Sequence, residues 1–244
     1  MKLQKTLSRL QRLHPKEIDL SLDRIKILCE KLGNPQDKIK AISVVGTNGK
    51  QSTINAIFSI LKEAKIKCNV YTSPHIQKIN ERFVFNNNTI NDDELIDLFE
   101  KVEKINNQNP LTFFEALTAC YFYKASQYPE NINLVEAGLF HRFDATNILK
   151  KNLASVVCSI SKDHFDWLPK YQQTIEKIIF EKTSALLNSN IIVSKQNSVR
   201  TVESIKKTID KNLSNKLFFN EDYNYFSGEN GFFYYEDKFG GLKL

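Results

Sequence analysis

The chain has 244 residues, 41% apolar and 25% charged, with 17 Phe, enough to build a sizeable core in a soluble protein. Its net charge of +6 and pI near 9.0 permit an anionic partner, but the lysines are spread along the chain, which argues against a nucleic-acid stripe. No run approaches the ~18 apolar residues of a membrane-spanning helix, and Cys29, Cys68, Cys120 and Cys158 lie far apart in apolar runs, which argues against a zinc site and for buried thiols in the cytoplasm.

The first fifteen residues are basic and place Leu3, Leu7 and Leu10 at helical spacing, which reads as an ordinary first helix rather than a transit peptide. "DLSLDRIKILCEKLG" predicts a second helix, with Asp19 or Ser21 as its cap and Gly33 as its stop. "KAISVVG" is short, apolar and β-branched, as expected of a central strand covered on both faces. A helix is expected from Ser52, and "KCNVYTS" reads as a second strand. Asn91 and Thr112 are expected to cap two further helices, Thr112 in a capping box with Glu115. Strands "INLVEAG", "ASVVCSI" and "NIIVS" follow, with a helix before the last and another after it. This alternation predicts an α/β domain with a mostly parallel sheet flanked by helices. The aromatic tail around "GENG" leaves that rhythm and predicts a C-terminal β-hairpin.

"VVGTNGKQST" joins the first strand to the helix after it. Such a junction can converge loop N–H groups and a helix N-terminus on phosphate. Gly46 and Gly49 would allow the turn, Thr47 and Asn48 lie between them, Lys50 offers a point charge, and Ser52 and Thr53 offer hydroxyls. An ordinary strand-to-helix turn capped by Ser52 is the competing reading. Three other strand ends carry polar groups: Ser73 with His75 beside Pro74, Glu136 after "NLV", and Asp163 with His164. A buried carboxylate needs a partner, and strand ends are where open α/β sheets bind ligands. Together these residues could hold Mg²⁺ beside a nucleotide, although His is an unusual ligand for so hard a cation.

The segments "GTNGK.ST", "YTSPH", "INERF", "TFFEALTA", "E.GL..R.DATN", "DH...L" and "EK" occur in this order, and the chain resembles the folylpolyglutamate synthase/dihydrofolate synthase family of the Mur ligase superfamily, over its N-terminal ATPase domain. The resemblance implies a P-loop NTPase-like Mur ligase central domain. It implies an ATP-dependent amide ligase that adds L-glutamate to folate or dihydropteroate through an acyl phosphate, with Mg²⁺, as a cytoplasmic monomer needing neither nucleic acid nor membrane. It further implies that Gly46, Thr47, Asn48, Gly49, Lys50, Ser52 and Thr53 bind ATP with Asn80, Asp144 and Asn147, and that Ser73, Glu136 and His164 hold metal. Lys50, Lys182 and His164 are then the catalytic set, with Lys182 matching a lysine carbamylated in several members to help hold a second metal. The expected organisation is an ATP-binding domain at 1–215 and a hairpin opening a linker at 216–244, with the glutamate-binding domain absent. A non-catalytic nucleotide- or folate-binding module, or a Mur-like ligase for another acid, are the alternatives.

The chain departs from the family pattern mainly at small residues. Gln51, Pro169, the Phe140–His141 pair and the Thr183–Ser184 pair stand where the family has Gly or Ala-Gly. Glycine gives positive φ or close approach, so each replacement is expected to move its loop or narrow the site. If Gln51 impairs the loop, Gln51→Gly will raise ATP affinity in a calorimetric titration; unchanged affinity removes the objection.

Overall fold

A computed structural model describes residues 2–16, 19–228 and 232–243. Five strands build the centre of the sheet: β1 (Lys40–Val45), β2 (Cys68–Tyr71), β5 (Ile132–Glu136), β6 (Ala154–Val157) and β7 (Asn190–Val193). They run parallel, β8 (Asn215–Phe218) extends them on one edge, and β3 (Phe83–Phe85) and β4 (Asn88–Thr89) add antiparallel strands on the other, in the order β4-β3-β2-β5-β1-β6-β7-β8. The predicted mostly parallel α/β architecture is thus present. The chain leaves β1 for β2 on one side and crosses from β5 to β6 on the other. Such a reversal opens a crevice at the carboxyl ends of the central strands.

Alternation along β1 divides the core. Ala41 and Val45 face one side, and Ile42 and Val44 face the other. The second side is covered by α3 (Lys50–Glu63) through Ile54, Ile57, Phe58 and Leu61. The first is covered by α2 (Asp23–Lys31), α4 (Asp92–Asn106) and α5 (Phe113–Ala125) over β2, β3 and β5, and by α6 (Ile175–Thr183) and α7 (Val199–Thr208) over β6 to β8. α1 (Lys2–Leu13) packs on α4.

Local signals work where they are read. Asn91 and Thr112 cap α4 and α5, and Thr112 and Glu115 form the expected capping box. Gly33, at φ +79°, closes α2 in a Schellman arrangement: its N–H donates to Glu30 O and that of Asn34 to Cys29 O. Neither Asp19 nor Ser21 is the cap of α2, since Leu22 holds that position. α3 begins at Lys50 with Gly49 before it, so Ser52 lies inside the first turn and is not its cap. The sequence reading passes over the β3–β4 hairpin, whose signal is the Asn86–Asn87 pair at φ +51° and +68°. Both central residues of a two-residue type I′ turn need positive φ, which Asn tolerates.

The hairpin expected at the C-terminal end is formed by β9 (Tyr223–Ser227) and β10 (Phe233–Asp237), and β11 (Gly240–Lys243) makes it a three-stranded sheet. Residues 229–231 of the predicted "GENG" turn lie outside the described residues. The main sheet itself runs on through Phe218 in β8, beyond the boundary expected at 215.

Polar side chains pin the sheet from within. Asn69 of β2 and Asn133 of β5 are register partners, both fully buried, and Asn69 Nδ2 donates to Asn133 Oδ1 at 3.1 Å. Asn133 also accepts from the Tyr121 hydroxyl of α5 and donates to Lys40 O of β1, while Asn69 Oδ1 accepts from Asn131 Nδ2 and the Asn86 N–H. A one-residue slip would strand all of these groups, so the network fixes register. Asn133→Leu leaves the Asn69 amide, Tyr121 hydroxyl and Lys40 carbonyl without their partner, and is expected to cost about 3 kcal/mol in urea denaturation.

Candidate functional site

The loop from Gly46 to Gly49 leaves the carboxyl end of β1 and turns directly into α3. Gly46 has φ +147°, and a Cβ there would lie 2.8 Å from Cys158 Cβ and 3.2 Å from the Cys158 backbone, so this position requires glycine. The N–H groups of Thr47 and Asn48 both donate to Ser159 O beyond β6, and Thr47 Oγ1 lies 3.2 Å from both the Ser161 N and O. The loop is therefore clasped to the segment after β6. Its own first N–H groups are committed, leaving the first turn of α3, whose N–H groups no intrahelical carbonyl can reach, to face an anion. Thr53 Oγ1 is 3.3 Å from Cys158 Sγ, so that hydroxyl packs inward, whereas Ser52 and Gln51 are exposed. Gln51 has ordinary helical backbone and no hydrogen-bond partner among the described residues. Its side chain points to solvent and does not hold the loop.

Lys50 and Glu136 meet across the crevice. Lys50 Nζ lies 3.3 Å from Thr47 O and 3.9 Å from Glu136 Oε1. Glu136, at the end of β5, is buried, and its Oε2 accepts from the Ser73 N–H at 3.1 Å. Burial raises its pKa, although the Ser73 N–H and Lys50 pull the other way. One N–H and one distant ammonium are little compensation for a buried carboxylate. The same carboxylate is therefore suited to a hard divalent cation that takes its remaining ligands from waters and phosphates. Glu136 fits that demand, and Ser73 adjoins it through the N–H that it donates. Among the described residues no group of three or more His, Cys, Asp and Glu side chains forms a cage on its own.

Lys182 comes from α6. Its ammonium is buried, 1% exposed, and donates to Gly46 O at 2.9 Å, tying α6 to the loop. Burial, aided by Lys50, lowers its pKa to about 8, against the pull of Asp163 and Asp144. The Phe140 ring lies 5.7 Å from Lys182 Nζ and edge-on to the His164 imidazole, with centroids 6.1 Å apart. Phe140 is buried at φ +58°, the conformation a glycine would take freely. That backbone costs a non-glycine residue roughly 1–2 kcal/mol, which burial of the ring, worth about 1.5–3 kcal/mol, offsets. The ring thus occupies the space beside the Lys182 ammonium and the His164 imidazole.

His164 also has a left-handed backbone, φ +51°, and its Nε2 lies 3.2 Å from Asp163 Oδ2. Burial lowers its pKa, with Asp163 opposing. Asp144 and Asn147 do not reach the loop from Gly46 to Gly49 by any hydrogen bond. Asp144 accepts from the Gly138 and Leu139 N–H groups and from the N–H and hydroxyl of Thr146, and Asn147 donates to Arg142 O. They brace the 138–147 segment. Asn80 is likewise committed elsewhere, its amide donating to Ile90 O and Asp92 Oδ1 between β4 and α4. His75 Nδ1 accepts from Arg82 Nε at 2.9 Å. The Ser159–Ser161 clasp and the bidentate Arg142–Glu181 pair, at 2.8 Å twice, escape sequence reasoning. Only an acid and a cation in neighbouring motifs hint at the latter.

No protein-family model matches the chain. It is 36% identical over 197 residues to the dihydrofolate synthase/folylpolyglutamate synthase of Haemophilus influenzae, covering 80% of this chain and 44% of that protein. The Escherichia coli protein of that name is 36% identical over 171 residues, 69% of this chain and 40% of its own. Among solved structures, Escherichia coli FolC in complex with DHPP and ADP superposes with a TM-score of 0.87 at 30% identity, over 98% of this chain and 56% of that one. The bifunctional folylpolyglutamate synthase/dihydrofolate synthase of Yersinia pestis, complexed with AMPPNP and Mn ion, gives 0.85 at 27%, over 98% and 57%. The chain thus spans about half the length of these relatives.

His141 offers a pH signature of the packing beneath the site. It is buried, its Nδ1 has no hydrogen-bond partner among the described residues, and burial together with Lys182 lowers its pKa from 6.5 to about 4. Between those values the unfolded chain binds the proton and the folded one does not, so stability is complete above the unfolded value and falls as pH drops through this window. Urea titrations are expected to show a loss of about 2 kcal/mol between pH ~7 and ~5 from this residue. His141→Gln should remove that part of the slope.

Proposed function

Over the region it spans, the chain belongs to the dihydrofolate synthase/folylpolyglutamate synthase family, and we propose that it is the nucleotide-binding part of an ATP-dependent ligase joining L-glutamate to a folate or dihydropteroate. The observation that carries this reading is the Lys50 ammonium and the buried Glu136 carboxylate meeting at 3.9 Å, where the Gly46–Gly49 turn runs into a helix N-terminus. That arrangement supplies positive charge for polyphosphate and an acid for a cation within one crevice.

In the reaction proposed, a substrate carboxylate oxygen bonds to the γ-phosphorus of ATP as the bond to ADP breaks. The glutamate amine then attacks the acyl carbon, loses a proton and expels phosphate. The first turn of α3 would bind phosphate oxygens through its N–H groups, and Lys50 would neutralise charge that grows on the transferring group. Lys182 would keep the loop in position by holding Gly46 O. Glu136 and Ser73 would hold a divalent cation; when bound, it supplies further neutralisation of phosphoryl charge. Asp144 and Asn147 would act at one remove, by fixing the segment that carries Phe140.

A non-catalytic nucleotide-binding module is the second reading, and the filled space around Phe140 is the observation that favours it. Calorimetric titration with a non-hydrolysable ATP analogue and Mg²⁺ tests the shared premise. Lys50→Ala is expected to weaken binding by about 100-fold, the loss of a charge-assisted contact worth roughly 1.5–3 kcal/mol. Glu136→Gln is expected to remove the dependence on Mg²⁺. An unchanged affinity in Lys50→Ala sinks both readings.

A further inference from the structure

The family resemblance implies that Lys182 becomes a carbamate and helps hold a second cation, and the packing around it disagrees. Lys182 is 1% exposed, and its Nζ donates to Gly46 O at 2.9 Å and lies 5.7 Å from the centre of the Phe140 ring. The same ring meets His164 edge-on at 6.1 Å, and His164 Nε2 is taken up by Asp163 at 3.2 Å. A carbamate adds a carboxylate to Nζ, and a cation bound to it would need oxygen ligands at about 2.0–2.1 Å. The apolar ring lies against the buried Lys182 ammonium, where a carbamate and its cation would need polar space, and its other neighbour, the His164 imidazole, is itself exposed to solvent.

We propose that Phe140 is a plug that keeps Lys182 an unmodified ammonium and prevents Lys182 and His164 from sharing a cation. The nucleotide crevice then works with the Glu136–Ser73 position alone, and the role of Lys182 is confined to positioning the loop. Three features support this assignment. The Phe140 ring is 2% exposed, so it is packed and not merely near. Its backbone keeps a left-handed conformation, φ +58°, so a bulky side chain is tolerated there only because its surroundings hold it. His141 follows it into the core with an unpartnered Nδ1, adding a second bulky group where the ammonium is buried. The meaning given to the site rests on the function proposed above, but the burial of Lys182 does not.

Cyanate tests this without nucleotide. Cyanic acid adds to a neutral amine: an N–C bond forms, an amine proton moves to the cyanate nitrogen, and lysine becomes a urea with no other reactant. The extent at each lysine is read by peptide mass spectrometry, with exposed Lys16 as the reference. In the native protein Lys182 is expected to stay unmodified while Lys16 reacts. Phe140→Gly, and Phe140→Asn, which tolerates the left-handed backbone, are expected to raise the Lys182 rate relative to Lys16 by more than about tenfold, since reaction at a buried group otherwise waits on local opening. Phe140→Leu, which keeps apolar bulk, is expected to preserve the protection. Cys29 and Cys120, both buried, should remain closed to a thiol reagent in every variant taken into account, as the sign of an intact fold. Native Lys182 reacting like Lys16, or both small variants leaving it protected in a folded protein, overturns the plug. So does a carbamate signal from isotope-labelled bicarbonate in the native protein that Lys182→Met abolishes. Absence of nucleotide binding by the native protein in the titration above would instead count against the proposed function alone.

Discussion

The site depends on one buried hydrogen bond, from the Lys182 ammonium to the carbonyl of Gly46. It joins α6 to a loop whose other attachments, Thr47 and Asn48 to Ser159, come from the neighbouring strand end. An ammonium with so little water must keep a partner, because a buried charge left alone is expensive. The carbonyl it holds belongs to the residue that can carry no side chain, since a Cβ on Gly46 would collide with Cys158. Close approach of β1 to β6 and the position of the loop are thus one constraint. The placing of Lys50 over Glu136 follows from it.

Electrostatics in the crevice is built from unfinished compensation. Among the described residues, Glu136 has a single N–H at hydrogen-bond distance and an ammonium at 3.9 Å. Asp144, equally buried, accepts four hydrogen bonds from its own segment. The two acids are close in sequence and alike in burial, yet one is a finished structural brace and the other is open to a further positive charge. That contrast separates an acid satisfied by its own segment from one left with compensation to find more clearly than either residue type or position in a motif.

The glycine replacements divide in the same physical way. Gln51 stands in helical backbone with its side chain in solvent, so nothing in the fold requires glycine there. Phe140 has a left-handed backbone and puts, in place of one glycine hydrogen, a ring packed on Lys182 and His164. The text of the sequence presents both as equal departures. Only the backbone angle and the direction of the side chain tell them apart.

Period and punctuation in the sequence determined the alternating α/β order, the covered central strand β1, the Asn91 and Thr112 caps and the turn at Gly46 to Gly49, because each of these follows from a few adjacent residues. The motifs also named Lys50, Ser73 and Glu136, which meet at the end of β5, and Lys182, which holds the loop at Gly46. What each does there was decided by partners far away in the chain. Asn80 and Asn147 bind carbonyls instead of the loop, Asp144 closes its own segment, and Lys182 reaches Gly46 across 136 residues. The Asn86–Asn87 turn was legible in principle, since two adjacent asparagines at positive φ are a local signal. The register-fixing contact of Asn69 with Asn133 was not, because a hydrogen bond between strands 64 residues apart exists only once the sheet has been assembled.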